Sequence, residues 1–135
     1  MHTALEIVTP ERLLLSKPVD MVVIPAAEGD LGVLAEHAPM IVMLRGGTIA
    51  IYQGSQVTDR LYVAGGFAEI TPERCTVLAN EAIPVAEVSR QEGERRLTEA
   101  EAAYNAADKA DIEALDAAMD RMQAARAMIE AAQTA

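Results

Sequence analysis

The feature that most constrains the fold is a break in the distribution of glycine, proline and alanine near Pro84. All six prolines and seven of the eight glycines fall in residues 1–84, whereas residues 85–135 hold one glycine, Gly93, and no proline. Alanine runs the other way, with 10 in the first stretch and 16 in the second. Glycine and proline punctuate strands and interrupt helices, while alanine has the highest helix propensity. The chain therefore divides into two kinds of local structure, residues 1–84 and 85–135. Charge does not follow this division. The first stretch has 5 basic and 10 acidic residues and the second 6 and 11, so each carries −5.

Residues 1–84 read as β structure. Short apolar runs recur at Leu5–Val8, Val19–Ile24, Ile41–Leu44, Thr48–Tyr52, Gln56–Val63, Phe67–Ile70 and Cys75–Leu78. Turn-forming clusters separate them, among them Gly29-Asp30, Gly46-Gly47, Gly65-Gly66 and Thr71-Pro72. Many short strands with this punctuation predict a sandwich or barrel. Ile49 and Ile51 share one face at period two. Val22 and Ile24 blur the alternation of their run, so that strand is expected to be covered on both faces near its end.

Residues 85–135 read as a helical hairpin. Ser89 with Glu92 three positions later is a capping-box pattern. Gly93, Leu97, Ala100, Tyr104 and Ala107 then recur at steps of four and three, a narrow stripe for one partner helix. Gly93 costs about 1 kcal/mol in a helix interior relative to alanine. Asp108 is the expected cap of the second helix, with Asp111 at its third position. Ile112, Leu115, Met119 and Met122 form its stripe, with Ile129 a heptad on and Arg126 interrupting. The fold class is thus α+β, an antiparallel β-sandwich or barrel followed by an α-helical hairpin.

Bulk composition excludes several functions. A net charge of −10 argues against nucleic acid as a partner, which requires a cationic face. Cys75 is alone, so no internal disulfide forms, and a reducing compartment is the natural setting. No basic n-region or apolar h-region opens the chain, so a secretory leader is not expected. The longest clean apolar run, Ala38–Leu44, is far short of the roughly 18 residues of a membrane span, so direct lipid insertion is not expected.

The stretch Ala27–Met40, AEGDLGVLAEHAPM, concentrates polar chemistry between apolar runs. Gly29-Asp30 is a strong turn pair and Gly32 a second permissive position, so this segment reads as a bent loop with Glu28, Asp30 and His37 on its rim. Glu36 and Asp30 near His37 raise the question of a metal or acid–base site. Zinc needs three or four ligands, and the only other histidine is His2. No serine or cysteine stands in a nucleophile context. No metal, cofactor or catalytic residue is therefore assigned, and His37 reads as a loop histidine bonded to backbone. Gly65-Gly66 reads as a strand bend rather than a phosphate loop, since no lysine or helix start follows. Met119, Met122 and Met128 read as helix packing.

Two blocks of sequence carry a family likeness: LEIVTPERLLLSKPVDMVVIPAAEGDLGVLAEHAPMIVMLRGG, residues 5–47, and YVAGGFAEITPERCTVLANEAI, residues 62–83. With the order β domain then alanine-rich hairpin, they resemble the epsilon subunits of bacterial F-type ATP synthases across essentially the whole chain. The resemblance implies a ten-stranded sandwich at the foot of the central stalk. It implies a non-catalytic rotor subunit that binds the gamma subunit and rests on the membrane c ring, peripheral to the cytoplasmic face of the plasma membrane. The positions matching the c-ring contact are Glu28, Gly29, Asp30 and Leu31, with Asp30 facing a basic residue of the ring. Gly32, His37 and Pro39 match the loop scaffold.

The chain departs from the family pattern in two places. Ala35-Glu36 stands where the family has Pro-Gly before the histidine. The nucleotide motif of some relatives, an aspartate and arginine at fixed spacing opening the first helix, is not matched. Glu87, Arg90 and Arg95 are the nearest candidates for the alternative reading, an ATP-sensing module. The family's hairpin can also reach the catalytic alpha and beta subunits and inhibit hydrolysis. Here Glu113, Asp116 and Asp120 line one face at steps of three and four and would repel an acidic partner loop, so weak or no inhibition is expected.

Overall fold

The change of composition at Pro84 coincides with a change from strands to helices. In the computed structural model, which describes residues 1–134, the strands are β1 (Thr3–Val8), β2 (Leu13–Val19), β3 (Met21–Ala26), β4 (Gly29–Leu34), β5 (Met40–Leu44), β6 (Gly47–Gln53), β7 (Gln56–Val63), β8 (Gly66–Ile70), β9 (Arg74–Ala79) and β10 (Ala82–Pro84). A 3-10 turn, Val85–Glu87, leads to helices α1 (Arg90–Ala106) and α2 (Ile112–Thr134).

The strands form one hydrogen-bonded sheet in the order β10-β7-β6-β3-β5-β8-β9-β1-β2, with β4 paired to β3. β3 gives one edge to β4 and shares the other, pairing with β6 through Met21–Val23 and with β5 at Ala26. The sheet curls on itself in the manner of a sandwich, its inner faces meeting over a shared core. Leu5, Ile7, Val22, Ile24, Ile49 and Ile51 are fully buried there. Pairing is antiparallel except for β1 with β9, which run parallel. As expected, β3 is covered on both sides near its end, where Ile24 and Pro25 are buried in succession.

Three strands were hidden from the sequence pattern, one of them the short β10 beside β7. β2 contains Ser16, Lys17 and Pro18 and is half exposed; it lies at the end of the sheet, where a proline costs no ladder hydrogen bond. β4 occupies most of the stretch expected to be a loop. Its turn residues are Ala27 and Glu28, and Gly29 closes the turn at φ 135°. Asp30 and Leu31 thus belong to a strand, paired with Pro25 and Ile24.

The helices pack against each other, and α2 packs on β6 and β7. The Ser89 Oγ accepts the Glu92 N–H at 3.1 Å and caps α1. Only this half of the capping box forms, because the Glu92 carboxylate turns to Arg95 and Arg96. The cap of α2 is Asp111, whose Oδ1 accepts the Ala114 N–H; Asp108 instead closes the preceding turn by accepting from Ala110. The expected α1 stripe is inward, with Gly93 and Ala100 buried. A Cβ on Gly93 would stand 2.8 Å from Ile129 Cγ1, so this glycine sets the distance between the helices. The α2 stripe is corrected. Ile112 and Met119 are exposed, and the buried positions are Ala118, Ala125, Met128 and Ala131. α2 has two neighbours, α1 and the sheet, and small residues allow it to approach both.

Candidate docking site

The segment Ala27–Met40 is a strand hairpin followed by a short tethered connection. Glu28 and Asp30 are exposed on the turn and first residues of β4, Gly29 and Leu31 are half-buried, and Gly32 is exposed. After β4 the chain turns at Ala35-Glu36. The Glu36 N–H donates to the Pro72 carbonyl at 2.7 Å, tying the turn to the β8–β9 connection. His37 is half-buried, with Nδ1 2.8 Å from the Ala38 carbonyl. Pro39 is exposed and leads directly into β5. Glu28–Leu31 therefore form one tip, while His37 and Pro39 lie beyond the far end of β4.

Glu36 takes φ 64°, the left-handed region, and is the non-glycine residue among those described that does so. This is the position at which the family pattern places glycine. The departure noted in the sequence thus falls on backbone that a Cβ disfavours.

Sequence reasoning missed the apolar face next to this connection. Ile41 is 66% exposed and Met43 63%, although both are large and apolar. They sit two apart on β5, hence on one face, and Met43 pairs directly with Phe67 of β8, itself 39% exposed. Adjacent exposed side chains of this size on paired strands form a surface suited to another protein. The available signal was the run Met40–Leu44, which has no polar residue to mark a solvent face.

The three nucleotide candidates are not gathered around one space. Glu87 is exposed on the 3-10 turn, and Arg90 pairs with Glu94 at 3.0 Å. Arg95 lines a cleft of about 890 Å³ between α1, α2 and the sheet, which neither Glu87 nor Arg90 touches. Its guanidinium is held by Glu92 and Glu99, each at 2.6 Å. Arg96, lining the same cleft, is bound by Glu81 and Glu92, and the paired carboxylates raise both arginines' pKa. The bonds from Arg95 and Arg96 pull the Glu92 carboxyl down to about 2. Arg95 and Arg96 are thus neutralised from within, while Arg12 and Arg121, which line the same cleft, form no ion pair among the described residues.

Three contacts seat the hairpin on the sheet. The Tyr62 hydroxyl donates to the Ala124 carbonyl at 2.7 Å, and burial raises its pKa to about 12. The Gln123 side-chain amide exchanges two hydrogen bonds with the Gly46 backbone, at 2.9 and 2.7 Å. Arg96 forks onto Glu81 at 2.6 and 3.0 Å. Cys75 is buried in the core, its thiol pushed up to about 11, which disfavours reactive thiolate. Among the described residues no group of His, Cys, Asp and Glu is placed to hold a metal ion, and no helix is long and apolar enough to cross a membrane.

Comparison with known proteins agrees with this architecture. Residues 2–85 match the family described as ATP synthase, Delta/Epsilon chain, beta-sandwich domain. The chain is 73% identical over 131 residues to the ATP synthase epsilon chain of Granulibacter bethesdensis, covering 97% of each. It is 48% identical to that of Gluconacetobacter diazotrophicus, covering 98% of this chain and 94% of the other. Its fold matches a chain of the Euglena gracilis mitochondrial ATP synthase with a TM-score of 0.77 at 23% identity, covering 96% of this chain and 81% of that one. A chain of the Tetrahymena thermophila central stalk and c ring matches with a TM-score of 0.72 at 17% identity, covering 98% and 97%. A curled ten-strand sheet with a two-helix hairpin, and close identity along nearly its full length, make this chain a member of the ATP synthase epsilon chain family.

Proposed function

We propose that this protein is the non-catalytic central-stalk subunit of a proton-translocating ATP synthase and that its work is mechanical. Residues 1–84 dock on the rotor and residues 85–135 form an accessory hairpin. The exposed apolar face of Ile41, Met43 and Phe67 carries the reading, because a continuous strand face of this kind is stabilised by burial against a partner. We assign the gamma subunit to this face and the c ring to the Glu28–Leu31 tip. The Asp30 carboxylate would meet a cationic loop there through a charge-assisted contact, which fixes register more than it adds affinity. The curled sheet between the two surfaces transmits torque because its strands belong to one hydrogen-bonded sheet. The protein then sits peripherally on the cytoplasmic face of the plasma membrane through the complex.

Co-purification with the gamma subunit tests this assignment. Ile41→Asp combined with Met43→Asp is expected to abolish co-purification while leaving the circular dichroism spectrum unchanged, since both side chains already face solvent. Undiminished co-purification would remove the apolar face from the interface.

A further inference from the structure

The strand registers extend the exposed face of β5 and β8 into an apolar row that crosses five strands. Met43 lies opposite Phe67, Phe67 opposite Leu78, Leu78 opposite Val8 and Val8 opposite Leu13. Leu44, Ala68, Val77 and Ile7, which neighbour the first four along the chain, are buried, so the row lies on the outer face of the sheet. Of these five side chains only the thioether of Met43 can take an oxygen atom from a peroxide. It is also open to one, at 63% exposure, whereas Met128 is buried and Met21 and Met122 are half-buried. In that reaction a sulfur lone pair forms the new S–O bond and the O–O bond breaks. The departing hydroxide takes up a proton, and the two electrons lost by sulfur are gained by the peroxide. The product is a polar sulfoxide with an acceptor oxygen. Nothing around Met43 on this face donates to such an oxygen. Ile41 and Phe67 are apolar, and the exposed Glu69 opposite Ile41 is a carboxylate, which only accepts. Covering the sulfoxide with a partner would therefore bury an unsatisfied polar group.

We propose that Met43 is an oxidation site that gates docking. As the thioether it belongs to the apolar face that the gamma subunit covers. As the sulfoxide, formed by a hydroperoxide on the free chain, it keeps the chain out of the complex. A partner already seated on the face shields the sulfur. The inference rests on the assignment of this face to the gamma subunit and adds a means of regulating it.

The purified full chain is treated with hydrogen peroxide, its sulfoxides are located by mass spectrometry, and co-purification with the gamma subunit is compared with an untreated sample of the same variant. In the wild type, the Met43 sulfoxide is expected to form ahead of any at Met21, Met122 or Met128, and co-purified gamma to fall at least about ten-fold. Reduction by methionine sulfoxide reductase should restore it. Met43→Leu should lose nothing on treatment relative to its own untreated sample. Met119→Leu removes a thioether 53% exposed on α2, away from this face, and should stay as sensitive as the wild type. The proposal is overturned if chain carrying the Met43 sulfoxide co-purifies undiminished, or if peroxide abolishes co-purification of Met43→Leu as it does that of the wild type. Untreated chain carrying Ile41→Asp with Met43→Asp separates the two levels of failure. If it co-purifies, the docking assignment itself fails. If it does not, while the sulfoxide chain does, only the oxidation gate fails.

Discussion

Glu36 is the residue whose backbone is least suited to its side chain. At φ 64° its Cβ crowds the carbonyl oxygen, a conformation glycine adopts without penalty. Glu36→Gly is expected to stabilise the protein by about 0.5–1 kcal/mol, offset in part by the freer unfolded chain, and to raise the thermal midpoint. Glu36→Ala, which keeps the Cβ, should give no such rise. Glu92 shows a different single-residue effect. Its carboxyl is depressed to about 2 by Arg95 and Arg96, against an ordinary value of 4.5. The stabilisation from these bonds is therefore present above pH 4.5 and is lost as pH falls toward 2. In an acid titration followed by circular dichroism, Glu92→Gln should remove this part of the transition.

At the scale of elements, the seat of α2 on the sheet depends on close approach. A Cβ on Gly46 would lie 2.6 Å from the Ala124 Cα, so Gly46→Ala forces the helix off its seat. The expected cost is about 1–3 kcal/mol, read as faster hydrogen exchange in α2 than in the sheet core. The Tyr62 hydroxyl adds a pH dependence. Its pKa is raised from 10.0 to about 12, so its contribution is complete below pH 10 and falls as pH rises toward 12. Tyr62→Phe should cost about 1 kcal/mol at neutral pH and abolish this alkaline loosening. The same elements show what the sequence could reveal. The α1 stripe was legible because Gly93, Leu97 and Ala100 share one inward face, with Gly93 and Ala100 buried and Leu97 half-buried. The α2 stripe was not, because Ile112 and Met119 are exposed while alanines make the contacts. β4 was masked by Gly29 and Gly32, which read as turn residues but here sit in a strand. Glu28–Leu31 could be picked out by motif. The apolar docking face could not, because Met40–Leu44 would look the same if both faces of the strand were buried.

At the scale of the whole molecule, the proposed assembly needs two surfaces on one rigid body, an apolar face for the shaft and a polar tip for the ring. The Glu28–Leu31 tip is less acidic than its sequence suggests, since Asp30 shares a cleft with Arg45, Arg60 and Arg126. The hairpin lies against the sheet, and Glu113, Asp116 and Asp120 are exposed on α2. An acidic partner loop would be repelled by that face, so removing residues 85–135 is expected to change the ATPase rate of the complex by less than about two-fold. Proton pumping tests the central claim of mechanical coupling most directly. Complexes carrying Asp30→Lys are reconstituted into vesicles, and ATP-driven acidification is measured alongside ATP hydrolysis. The account predicts that hydrolysis continues while pumping falls well below wild type. Wild-type pumping from a fully assembled Asp30→Lys complex would contradict it.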